Sequence, residues 1–302
     1  MFPISPPKTI ESLSSLVTAR SIRLSKCLAA KSHPDPTFDA SGASRYAGED
    51  AELRSARQDL VRAARDLASL AESPEDHILS LTWSSADTAN LAVLVRFSLP
   101  QLVPVSSGIS ATDLASAADL PEDVVVRTMR YAVAKGIFEE APAGRVFTHN
   151  ASSALLAKNE HLRDIVSHGT REMSSILLRI ADALELQQKQ GRREQQLKKL
   201  EGLNGAGEGP TLKEVTNGPP AAAFNVVYPE ENNVFEYLSK QPELAARYHK
   251  YMVARHNTSR WTIEHMLGAY DWAGVGSQTV VDVSSSANSA YHFYLSTRKA
   301  NF

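Results

Sequence analysis

From residue 51 the chain reads AELRSARQDLVRAARDLASLAE, with Leu53, Leu60 and Leu67 seven residues apart and Ala56, Ala63 and Leu70 each three further on. Such spacing lays a narrow apolar seam along one helix, of the width that packs against a second helix. The seam reads first as a helix seated on its own core, with a contact between subunits as the rival reading. Upstream, Glu11 to Ala30 can form one helix. Residues 31–49 are rich in Pro, Ser, Gly and Asp and read as a linker, so the region 1–49 is expected to be flexible. Ser85 to Phe97 predicts another helix, ended by Pro100 and Pro104.

The next pattern is the most regular in the chain. Ser110 with Asp113 has the spacing of a helix cap, predicting a short helix over 111–118. Pro121 suits the first turn of a second helix, with Glu122 and Asp123 at its positive end. On that helix Val125, Thr128, Met129, Ala132 and Val133 make one buried stripe, and Gly136 stops it. Ile137–Glu139 and Arg145–Thr148 then flank Ala-Pro-Ala-Gly as a hairpin. Helix, turn, helix, hairpin is the order of a winged helix.

Beyond it, HLRDIVSHGTREMSSILLRIADALELQQKQ predicts two helices, or one kinked at Gly169, with Ile176, Leu177, Ile180, Leu184 and Leu186 mainly on one side. Residues 190–220 are polar and studded with glycine, which reads as a solvated insertion. Helices return at Asn232–Leu238 and Pro242–Met266, and Val280 with Val281 begins a strand. The fold class expected is mainly α. Its parts are a flexible region 1–49, a helical and winged-helix domain 50–160, a helical junction 161–270, and a segment 271–302 opening a further domain.

Charge and composition narrow the function. A net charge of −2 gives no overall pull toward nucleic acid or an anionic membrane. Arg127, Arg130 and Lys135 lie on the second helix of the winged-helix pattern, which is the helix that reads DNA in such folds. Glu122, Asp123, Glu139 and Glu140 crowd the same region and would repel phosphate, so nucleic acid is not the expected partner. One cysteine, Cys27, excludes an internal disulfide and fits a reducing compartment. The most apolar window, from Leu91, carries Arg96, Pro100 and Pro104 and is shorter than the roughly 20 residues of a span; a cytoplasmic protein with no membrane partner is expected. His161 and His168, seven apart, read as helix-surface residues and not as a metal pair, and no metal is expected.

The runs VVVRTMRYAVAKGIFEEAPAGRVFTHNASSALL and FNVVYPEENNVFEYLSKQPELAARYHKYMVARHNTSRWTIEHMLGAYDWAGVGSQTVVDV carry a resemblance. Over residues 50–283 the chain resembles the plant-caffeate-type, cation-independent O-methyltransferases, in their fungal secondary-metabolism branch. The resemblance implies a winged helix that pairs subunits instead of binding DNA, hence a homodimer. It also implies S-adenosylmethionine (SAM) as cofactor and methyl transfer to a hydroxyl of a polyketide-type metabolite. It places Met252, His256 and Trp261 on a substrate-facing helix, and Asp282, Ser284 and Ser285 in the cofactor loop.

At that loop the sequence departs from the family, which reads Val-Asp-Val-Gly-Gly. Glycine serves there because a backbone without Cβ can turn tightly and approach the ligand; here Ser284 and Ser285 stand in its place. Only residues 289–302 follow, and the family's remaining strands and its catalytic histidine have no counterpart in them, so no catalytic residue is assigned. The expectation is an O-methyltransferase-like chain that is inactive by itself. A non-catalytic scaffold or a transcriptional coactivator of a biosynthetic cluster, joined to another cluster protein, is the alternative; a winged-helix DNA binder is the third.

Overall fold

The computed structural model describes residues 8–42, 49–204, 222–231 and 233–256, with Gly274. Described residues are mainly helical, with one three-stranded antiparallel sheet. Helices α1 (Ile10–Ala30) and α2 (Ala51–Ala71) form a hairpin. Both start on capping side chains: Thr9 and Ser12 satisfy each other's backbone, and Asp50 accepts from Leu53 N. Leu53 and Ala56 from the heptad seam meet Leu24, Cys27 and Leu28 of α1. The seam is therefore covered by this chain's own first helix, while Leu70 at its far end stays exposed.

Two expectations for region 1–49 are corrected. Residues 10–30 are an ordered helix, as their pattern allowed, and not part of a flexible tail. Within the linker, Ala151 N donates to Phe38 O at 2.7 Å, and Asp39 bridges to Asn150. These bonds tie the middle of the linker to the body.

The main core lies among α3 (Pro74–Arg96), α4 (Leu99–Leu102), β1 (Ile109–Ser110), α5 (Ala111–Ala118), α6 (Glu122–Ala134), β2 (Phe138–Glu140) and β3 (Val146–His149). Its fully buried members include Leu94, Leu99, Leu114, Val125, Met129, Phe138 and Phe147. Each large side chain removed from water there contributes roughly 1.5–3 kcal/mol. Ser110 caps α5, and Pro121 precedes α6. Gly136 ends α6 at φ +69°, a left-handed conformation that glycine adopts without strain.

The sheet order is β1-β3-β2, with Ile109 opposite Phe147 and Phe138 opposite His149. Gly108, at φ +71°, brings the chain into β1 so close to β3 that an added Cβ would lie 2.7 Å from Phe147 O. Behind β3, α7 (Ala151–Lys158) is capped by Asn150, whose Nδ2 donates to Gly136 O at 2.9 Å.

Helix α3 begins eleven residues before the predicted Ser85, on a Ser73 cap with Pro74 in the first turn. Its two ends differ. Leu94 is fully buried, whereas Ile78, Leu79, Leu81 and Trp83 are exposed, Trp83 by 69%. Among the described residues α3 is the one helix long and apolar enough to cross a membrane by length and composition, and its C-terminal half is committed to the main core.

The remaining helices are α8 (Glu160–His168), α9 (Ser174–Leu177), α10 (Ile180–Asn204), α11 (Ala223–Val227), α12 (Val234–Ser239) and α13 (Pro242–His256). Where a kink was predicted at Gly169, the helix instead widens into one π turn over Gly169–Met173, and Ser174 N reaches back to Gly169 O. Within the polar stretch over 190–220, α10 continues to Asn204. The apolar side of α9 and α10 faces outward at Leu177, Ile180, Leu184 and Leu186.

Candidate functional site

Helix α13 carries two of the sequence-predicted pocket residues, Met252 and His256. Met252 is half-buried, and His256 is the last residue of the helix. Trp261 lies outside the described residues, as do the strand begun by Val280 and Val281 and the loop residues Asp282, Ser284 and Ser285.

Where α13 packs against α8 and the π turn, it meets a buried polar assembly that the sequence reading missed. His161 is exposed as expected, but His168 is only 5% exposed, which corrects its reading as a surface residue. His168 Nδ1 lies 3.1 Å from Glu172 Oε2, and Arg247 Nε donates to Glu172 Oε1 at 2.8 Å. The Tyr251 ring lies 4.2 Å from the imidazole centre and Tyr248 meets it edge-on at 5.6 Å. Arg255 in turn sits over Tyr251. The sequence did hold a signal: His168 and Glu172 are one turn apart on a helix, a spacing that pairs side chains.

A second aromatic group lies near Glu172. The rings of Tyr228 and Tyr237 are 4.3 Å apart, and Phe224 lies 5.1 Å from Tyr228. Burial, helped by the Tyr237 hydrogen bond and the Glu172 charge, pushes the Tyr228 hydroxyl up to about 12. Burial also pushes the Glu172 carboxyl up, but the hydrogen bonds from His168 and Arg247 outweigh it and hold the group below its usual range. Tyr228 thus stays protonated and Glu172 ionised at neutral pH. Neither is tuned for proton transfer, which is most efficient with a pKa near the working pH.

The cations that raised the DNA reading are already paired. On α6, Arg127 meets Asp123, Arg130 meets Glu140 and Lys135 meets Asp87, at 3.2, 2.9 and 2.9 Å. Tyr131 donates to the same Asp87 at 2.7 Å. A shallow hollow at the α5–α6 elbow is lined by Thr112, Ser116, Asp119 and Glu122. Glu122 is itself bonded to Thr112 and Arg145, so the hollow offers no free cation to a phosphate.

No family model matches the chain. Curated relatives do. It is 26% identical to O-methyltransferase pgmB of Aspergillus terreus over 284 residues, which is 93% of this chain and 58% of that protein. It is 31% identical to O-methyltransferase AMT9 of Alternaria alternata over 190 residues, or 61% of this chain and 44% of that protein. The chain therefore spans between about two-fifths and three-fifths of the relatives it matches. Among solved structures it resembles OxaC, with a TM-score of 0.57 at 15% identity, covering 81% of this chain and 50% of that one. It also resembles LepI in complex with SAM, with a TM-score of 0.56 at 14% identity, covering 88% and 56%. At that identity the structural likeness speaks to the fold alone. By sequence, the homologues of this chain are the fungal O-methyltransferases of secondary metabolism.

Proposed function

We propose that this chain forms the subunit-pairing part and one wall of the substrate pocket in an architecture for SAM-dependent methyl transfer to a hydroxyl of a polyketide-type metabolite. The observation that carries this reading is the match to fungal O-methyltransferases along 93% of the chain. In it, α5, α6 and the β2–β3 hairpin are a winged helix used for pairing and not for DNA, supported by the carboxylate partners of Arg127, Arg130 and Lys135. Met252, His256 and Trp261 border the substrate, and the cytosol is the site of action, in keeping with the free, buried Cys27.

The cofactor loop sets how far these 302 residues go alone. Side chains at Ser284 and Ser285, where the family turn needs glycine, cost about 1–2 kcal/mol each wherever φ is positive. That is roughly five- to thirty-fold in affinity per position. Calorimetry of the 302-residue chain with SAM tests the point. No heat of binding at micromolar concentrations is expected, and a micromolar dissociation constant or methyl transfer would overturn the reading.

Pairing is the other half of the proposal. The exposed half of α3, with Ile78, Leu79, Leu81 and Trp83, projects apolar surface in several directions. Together with the outward Leu177, Leu178, Ile180 and Leu184 it leaves apolar surface uncovered, and a standard interface takes about 800 Å² from each subunit. A second copy is the occupant proposed, and sedimentation should report a dimer that Leu81→Asp with Trp83→Asp converts to a monomer. A monomeric wild-type chain that instead captures a different protein of the same biosynthetic cluster would favour the non-catalytic coactivator or scaffold. The serines in the cofactor loop are the observation on its side.

A further inference from the structure

The Glu172 assembly joins segments far apart in sequence, and its cost says something about its purpose. A carboxylate side chain 13% exposed, with its two oxygens committed to His168 and Arg247, is an expensive way to glue helices. Apolar side chains of similar volume usually hold two helices as well or better, whereas a buried charged contact fixes which register is allowed. The sequence of α13 makes that restriction sharp. Sliding α13 by four residues, about 6 Å, would set Glu243 or Tyr251 where Arg247 now stands. The first opposes a like charge to Glu172 and the second leaves the carboxylate without its cation, so both slipped registers are penalised.

From this geometry we infer that Glu172 is a positioning residue: held in the π turn after α8, it fixes the height and rotation of α13 through Arg247 and His168, and so sets where Met252 stands one turn beyond Tyr248. The consequence for substrate rests on the reading of α13 as a pocket wall. The positioning itself does not, and can be measured in the free chain.

The test uses the full 302-residue protein with isotope-labelled methionine methyl groups followed by NMR. The Met252 signal is identified by Met252→Leu, and Met129 in the main core serves as the internal reference. Glu172→Gln and Arg247→Leu are each expected to displace the Met252 resonance and leave Met129 in place. The double variant is expected to displace Met252 no further than the larger single effect, since one device has been broken twice. An unmoved Met252, additive displacements, or an equal movement of Met129 would each overturn the inference. Should a single variant unfold, Glu172→Asp decides: it keeps the charge but draws the carboxylate back by one methylene, and a Met252 signal unchanged in it refutes the assignment. Failure of SAM binding bears on the function and leaves this result untouched.

Discussion

In the main core, Leu94, Leu114, Met129, Phe138 and Phe147 reach one centre from five elements, while in the α1–α2 hairpin Leu24, Cys27, Leu28, Leu53 and Ala56 come from two helices only. The first centre is closed on several sides by helices and a sheet. The second is a seam with solvent along both flanks, and its rim is ionic: Asp59 accepts from Arg20 and Arg23, Lys31 reaches Asp50, and Glu49 grips Arg57. Exposed ion pairs typically contribute 0–1 kcal/mol each. The hairpin therefore depends on its short apolar seam and on the tether at Phe38 and Asp39, and the two regions should open at different free energies.

The sharpest way to break the comparison is Phe147→Ala. It empties a fully buried site touched by both the sheet and the helices, and should cost about 3–5 kcal/mol, read as a lower denaturant midpoint for the whole chain. Leu53→Ala removes a side chain equally buried, yet its cost of about 2–5 kcal/mol should fall on the hairpin. Hydrogen exchange ought to speed up across 10–71 while amides of α6 and β3 keep their protection. Equal acceleration in both would show one cooperative unit instead of two.

Gly108→Ala probes how closely β1 rides on β3. The positive φ costs about 1–2 kcal/mol, and the new methyl collides with a backbone oxygen that cannot step aside. Gly136→Ala shares the strained φ but meets nothing within 4 Å, so thermal melting should show the smaller loss there.

Mild acid gives the smallest effect. Burial holds the His149 imidazole below its ordinary value of 6.5, with Nε2 on Val103 O at 3.0 Å and Nδ1 on Ser153 Oγ at 2.9 Å. An unfolded histidine takes up its proton first, so this stability is present above pH 6.5 and is lost as pH falls below it. In the hairpin, hydrogen bonds from Leu53 N and Lys31 hold the Asp50 carboxyl below its ordinary 3.8, so that contribution survives until pH falls past that value. A pH titration of exchange protection should therefore loosen the main core first, and the reverse order would contradict the assignment.

What could be read in advance follows from how local the cause is. Ser110, Pro121 and Gly136 act on their own backbone, so α5 and α6 were legible to within a residue. The front half of α3 was not, because Ile78, Leu79, Leu81 and Trp83 point in several directions and leave no period to find. The far end of α10 was hidden by its long polar run and by Gly191 and Gly202 within it. At the candidate site, Met252 and His256 were reached through resemblance, whereas the burial of His168 depends on Tyr248 and Tyr251, some eighty residues downstream. No window around His168 contains that cause.

The bridge from Asp39 to Asn150 also has a consequence for biosynthesis. At about 5–20 residues per second, the ribosome delivers Asn150 roughly 6–22 s after Asp39. For the last 79 residues of it, from Ala71 to Asn150 and about 4–16 s at that rate, both hairpin helices are complete but untethered. Until Asn150 emerges the two helices have only their own apolar seam to hold them, so the tether is a late addition to a pair already made.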